Sequence, residues 1–284
     1  MNFIYLLAAL YEYWDSLDFE KAYEVCVQLN KELKRDHRLH RTFILMDFLE
    51  RLVRQEELLE ALKEIPKMIQ EKKNFEILQD GHYMVPLMFT MYSNAMLREK
   101  QEKYDMATLL LYRLLEMIEQ RRLAAYGLYV SKMDYTGFLF CAEDQKELNH
   151  LSGEEKLAWL KEEVFQMKKQ LFKKTDSRFL PEQVSLLEGF ILLSVLHDPL
   201  FKKEGCKDVD QLKRIRSMVF LRNNSIFAHG LGPVPQQDYQ KFRMFVEEVF
   251  IRFCEVEDIG FARWIREVQW INPSESEYYS HLEV

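Results

Sequence analysis

The segment "EKYDMATLLLYRLLEMIEQRRLAAYG", residues 102–127, decides the fold. Helical periodicity runs through it without a break, Asp105 opens it and Gly127 closes it, in the order a helix uses. The same grammar recurs along the chain. Asp18 reads as the N-cap of "FEKAYEVCVQLNKELKR", whose Ala22, Val25, Val27, Leu29 and Leu33 suit a mostly buried helix. A second long pattern runs from Arg41 to about Ala61, and Pro66 bends or breaks the helix beyond it. "GHYMVP" reads as a turn before a helix near 87–100. Residues 128–149 are less regular and read as either a loop or a short β excursion. Ser152 caps a long amphipathic helix, and Pro181 starts another that Asp198 and Pro199 end. Asp208 or Asp210 starts a helix that passes Arg222 and stops near Gly230. "GLGPVP" turns the chain into a last long helix from Gln236 to about Asp258. No strand, glycine-rich loop and helix follow one another in the pattern of a Rossmann nucleotide site. The expected fold class is all-α.

Composition narrows the function. The chain has 284 residues, 48% hydrophobic and 30% charged, with only 9 Gly and 7 Pro. That is enough to bury a substantial core, with too few turn residues for a many-stranded sandwich or barrel. The 39 basic residues against 46 acidic ones give a net charge of -7, which argues against a protein that coats nucleic acid over a wide face. A small basic cleft on an acidic body stays compatible with it. The four cysteines (Cys26, Cys141, Cys206 and Cys254) are far apart, with no C-x-x-C pair. They form neither a zinc framework nor a disulfide scaffold, so a reducing, cytoplasmic setting is expected. The apolar start lacks a basic leader and a cleavage site. No run approaches the ~20 apolar residues of a membrane span, so no membrane partner is expected.

One stretch carries chemistry. "FLRNNSIFAHGLG", residues 220–232, puts an arginine, two asparagines and a serine into an apolar helix and ends on His-Gly. Arg222 and His229 are seven residues apart, so they share a helix face at a rise of ~10.5 Å. One helix does not easily bring both onto a single phosphate. Two copies related by a two-fold axis do, with Arg222 of one copy and His229 of the other meeting in a shared groove. Asn223, Asn224 and Ser225 are each poor helix-interior residues. The plain structural reading has Arg and His capping carbonyls at a helix end.

"LRNNSIFAHG", residues 221–230, resembles the R-x(4–6)-H motif of HEPN ribonucleases. "YEYWDSLDFEKA", residues 11–22, and "LYRLLEMIEQRRLAAYG", residues 111–127, resemble segments of the CRISPR-associated CARF–HEPN proteins of type III systems, in the same order. The resemblance implies a helical bundle of the HEPN type with an N-terminal helical extension. It implies a homodimeric, metal-independent endoribonuclease that cuts single-stranded RNA and leaves a 2′,3′-cyclic phosphate. The motif residues match as Arg222, Asn223 and His229, with Asn224 and Ser225 as RNA contacts. The CARF sensor, which binds cyclic oligoadenylate, has no counterpart in the sequence. The chain then reads as an effector half whose sensor is separate or missing, or as a protein with different regulation.

Domains are expected at 1–149, an N-terminal helical region, and 150–284, the HEPN core with the motif, or as one continuous helical domain. Arg121 and Arg122 are expected on an RNA path, as are Lys202, Lys203, Lys207, Lys213, Arg214 and Arg216; a solvated helix face is the plainer reading of each cluster. Glu116 and Glu119 are spaced as an acid–base pair, or as partners of Arg113 and Arg122. His37 and His40 form an i, i+3 pair with few acids nearby, so neither a metal nor a cofactor is expected. The rival function is a non-catalytic helical interaction module of the same fold. A HEPN toxin or nucleotide-transferring enzyme partnered by an antitoxin is a third.

Overall fold

The computed structural model describes residues 3–35, 43–172, 178–201, 208–223 and 232–268. Its helices are α1 (Phe3–Asp15), α2 (Phe19–Arg35), α3 (Phe43–Gln70), α4 (Asn74–Gln79), α5 (Gly81–Lys100), α6 (Tyr104–Ala125), α7 (Gly153–Leu171), α8 (Leu186–Val195), α9 (Asp208–Asn223), α10 (Gln236–Val256) and α11 (Phe261–Val268). No β-strand occurs among the described residues, and the fold is all-α.

The chain forms two compact units, one of residues 1–93 with 261–284 and one of 94–260. The boundary expected between 149 and 150 lies inside the second unit. In the first unit α2 packs on both α1 and α3. Asp18 caps α2 as expected: its carboxylate accepts the backbone N–H of Lys21 at 3.3 Å. Trp14, buried in α1, donates its indole N–H to Thr90 at 3.3 Å. Short α11 lays Phe261 and Trp264 against Phe89, with the Trp264 ring stacked at 5.3 Å.

Pro86 behaves differently from expectation, and Pro66 does not break its helix. Pro86 lies inside α5, which starts at Gly81, so "GHYMVP" is helix and not a turn. As the sixth helical residue, Pro86 forgoes the one N–H bond that would reach back to His82. Pro66 likewise sits inside α3, which continues to Gln70 before Lys72 takes a left-handed φ of 61°.

In the second unit α6 is the central helix, packed against α10, α8 and α9, while α7 rests on α8 and α9. Twelve of its residues are buried, so it is sheathed by partners on most of its circumference and not along a single stripe. Asp105 is not its cap. It stands in the first turn and accepts the Val234 N–H at 3.2 Å, pinning the turn that leads into α10. Gly127 does end α6. Its φ of +81° lets the Leu128 N–H reach back to Leu123 C=O and its own N–H to Ala124 C=O, both at 3.0 Å.

Residues 128–149 form a loop with one 3₁₀ turn at Lys146–His150. Its nearest approach to β pairing is the Val184 N–H to Val130 C=O bond at 3.1 Å and the Met133 N–H to Glu182 C=O bond at 3.0 Å. Ser152 caps α7 through a full capping box with Glu155. Helix α8 starts at Leu186, later than Pro181, because Ser185 and Glu188 supply the capping box that Pro181 lacks.

Candidate active site

Helix α9 is held at both ends. At its start the Asp208 carboxylate accepts from the Ser194 hydroxyl of α8 at 2.8 Å. Midway Ile215 and Leu212 are buried, and Arg216 lies 4.9 Å over the Phe172 ring. Its last turn presents Arg222 and Asn223, both half-buried. The Arg222 guanidinium lies 4.9 Å over the ring of Tyr112 on α6. Its Nη1 donates to Asn223 Oδ1 at 3.1 Å.

A guanidinium stacked on an aromatic face keeps its edge N–H groups pointing sideways, where they can fork onto an anion. Arg222 and Asn223 thus adjoin in the last turn of α9. His229, Asn224 and Ser225 lie outside the described residues.

Tyr112 is the contributor that sequence reasoning missed. Its ring is buried, and burial, followed by the Glu116 carboxylate, pushes its phenol above the ordinary range while Arg222 pulls the other way. Nothing in the periodicity of α6 separates it from a core tyrosine. Only the tertiary contact with α9 does.

The acids of α6 divide. Glu116 pairs with Arg113 at 3.0 Å on the exposed side. Glu119 pairs with neither Arg113 nor Arg122. It is 2% exposed, and its Oε1 has no hydrogen-bond partner among the described residues. It rests on the backbone of Gly189 so closely that no room is left there for a Cβ. Burial, with Glu116 adding to it, pushes the Glu119 carboxyl well above the usual carboxylate range, which favours its neutral form.

Arg121 and Arg122 are both ion-paired with acidic side chains. Arg122 donates Nε and Nη2 to Asp198 at 3.1 and 2.8 Å and Nη1 to Glu257, and its side chain is only 10% exposed. Arg121 donates to the other oxygen of Glu257 at 2.9 Å. Asp198 is fully buried and also accepts from the Tyr126 hydroxyl at 3.0 Å and the Leu200 N–H at 2.9 Å. Burial works against the Arg122 charge, yet Asp198 and Glu257 together hold its pKa above the ordinary value. The pair ties the end of α6 to the turn after α8 and to the cap of α10. Arg121 and Arg122, expected on an RNA path, thus stand in an ion-pair knot with Asp198 and Glu257.

The other basic positions are also engaged: Lys213 with Asp210 at 3.0 Å and Arg214 with Glu248 at 3.0 Å. Lys202, Lys203, Lys207, His37 and His40 lie outside the described residues. Among those described, no three of His, Cys, Asp and Glu are grouped to hold a metal ion, and no helix is long and apolar enough to cross a membrane.

Compared with known families, the chain matches the model of the Csm6 HEPN domain over residues 76–252, more than half its length. That match covers α5 through most of α10, and so includes Arg222, Asn223 and Tyr112. No curated protein matches the chain.

Proposed function

The chain belongs to the family of the Csm6 HEPN domain, and from that premise we propose that it is a CRISPR-associated endoribonuclease of antiviral defence. It cuts single-stranded RNA, without a metal ion, at a site shared by two copies of the chain. The single observation that carries this reading is the setting of Arg222: a guanidinium stacked on Tyr112, beside Asn223, within the matched region.

The chemistry is transesterification. The substrate's 2′-hydroxyl attacks the adjacent phosphorus, the bond from phosphorus to the 5′ oxygen breaks, and the products are a 2′,3′-cyclic phosphate and a 5′-hydroxyl. His229 moves the proton between the reacting oxygens near neutral pH. Arg222 forks onto the non-bridging oxygens as their charge builds. Asn223 spends its side-chain carbonyl on Arg222 and keeps its amide N–H groups for the phosphate or ribose. Asn224 and Ser225 follow on the same segment as RNA contacts. A second copy completes the site, bringing the His229 of one chain to the Arg222 of the other.

The test is cleavage of a labelled single-stranded RNA by purified wild type and His229→Ala, each with and without EDTA. The wild type cuts in both buffers and leaves cyclic phosphate ends, while the variant stays folded and loses cleavage. Unchanged cutting by His229→Ala removes the proposal. A wild type that cuts nothing across many sequences yet self-associates points to the interaction module instead.

A further inference from the structure

We propose that the outer face of α9 is a subsite for the single-stranded RNA that flanks the scissile phosphate: a nucleobase stacks on Phe220 and a neighbouring phosphate meets Arg216. This rests on the ribonuclease reading above and adds where the strand runs beyond the motif. Phe220 is 71% exposed, the most open phenylalanine among the described residues. A single exposed apolar side chain is ordinary, and what sets this one apart is the company it keeps on the helix.

Arg216, Phe220 and Asn223 follow one another at spacings of four and three residues, so they line one face of α9 over about 10 Å. Asn223 accepts the hydrogen bond from Arg222 Nη1 at 3.1 Å. The line therefore starts at the candidate active site and leads away from it.

Its charge suits a phosphate backbone. From Gln211 to Asn223 the helix carries Lys213, Arg214, Arg216 and Arg222 and no acidic residue. Lys213 and Arg214 are already paired, with Asp210 and Glu248. Arg216 is exposed and makes no ion pair among the described residues. Its guanidinium lies 4.9 Å over the Phe172 ring, which fixes the group while its edge N–H groups stay open to phosphate oxygens. A second stacked cation continues the track on α7, which packs on α9. Lys169 lies 4.5 Å over Phe165, is exposed, and is likewise without an ion pair among the described residues. Phe165 and Phe172 are seven residues apart, so the two stacked cations are set roughly 10 Å apart along α7.

Fixed cations beside an open ring grip a strand in two ways at once, phosphates by charge and bases by their π faces. A duplex keeps its base faces stacked inside, so the ring selects a single strand. A track this narrow also agrees with a chain whose net charge is -7, since binding is confined to one line on an acidic body. A second copy laid across the same line by a two-fold axis would bring only the same cations against it.

The experiment is fluorescence anisotropy of a labelled single-stranded RNA over a salt series, in the full chain carrying His229→Ala so that the probe stays intact. Phe220→Ala, Phe220→Trp and Arg216→Gln are compared, with circular dichroism and sedimentation velocity on each. Phe220→Ala weakens binding about 5- to 150-fold, the effect of losing one stacked base, and Phe220→Trp restores it. Arg216→Gln lowers the salt slope by about 0.7, the value for one phosphate of a single strand. Single-strand affinity unchanged in Phe220→Ala overturns the subsite, and RNA cleavage by the chain with His229 intact then leaves the ribonuclease reading standing. A Phe220→Ala variant that loses self-association gives the ring to a partner copy and overturns the subsite as well. A wild type that neither binds nor cuts RNA removes both readings.

Discussion

Asp198→Asn is the most informative perturbation of the second unit. The carboxylate is fully buried, and it receives Arg122 Nε and Nη2, the Tyr126 hydroxyl and the Leu200 N–H. The amide replaces one acceptor oxygen with a donor that faces donors, and leaves the Arg122 charge buried with Glu257 alone. Removing one partner of a buried ion pair costs about 3–5 kcal/mol. Glu257 remains as a second counter-charge for Arg122, which moves the expected loss toward the lower end. Urea unfolding followed by circular dichroism measures it, in a cycle with Arg122→Met and the double variant. Because the two side chains share one network, a coupling of about 2–3 kcal/mol is expected. The double variant is then far less damaged than the sum of the singles. A coupling below about 0.5 kcal/mol refutes the knot. So does an Arg122→Met variant of wild-type stability whose RNA affinity loses about one unit of salt slope, the signature of a phosphate contact.

Glu119 and Tyr112 supply two further expectations. The folded state holds the Glu119 carboxyl protonated above its ordinary range, so the native chain binds more protons there than the unfolded one. Stability therefore falls as pH rises above the ordinary carboxylate value, by up to about 1.4 kcal/mol per pH unit, until the folded group itself ionises. Glu119→Gln flattens that slope and is the more stable protein at neutral pH, and unfolding free energies measured across the pH range check it; an unaltered slope contradicts the buried acid. Tyr112→Leu removes the ring under Arg222, worth about 0.5–2 kcal/mol of cation–π attraction, and lowers RNA cleavage several-fold. Tyr112→Phe keeps the ring and retains activity. If Leu and Phe cut equally well, the ring does not position Arg222.

Much of the fold was legible in local chemistry. Asp18, Ser152 and Gly127 announced their helix ends because capping needs only a side chain or a φ within a few residues. The proline at 86 misled, since a proline's cost depends on where in a helix it falls, and helix starts are poorly marked. Asp105 has the residue type of a cap, yet the Val234 N–H claims its carboxylate from 129 residues away. The candidate site was legible in part. A guanidinium, an amide and an imidazole close together in the sequence form a readable pattern. Tyr112, by contrast, is one of 14 tyrosines in the sequence.

The sequence by itself determined an all-α chain and the side chains able to handle a phosphate, because helical period and functional-group chemistry are properties of neighbours along the chain. Tertiary structure alone decided how each charge is used. Arg121, Arg122 and Arg222 look alike as letters, but two are wrapped by Asp198 and Glu257 and the third is laid on an aromatic ring. A guanidinium's role is set by what desolvates and pairs it, and those groups come from helices distant in sequence.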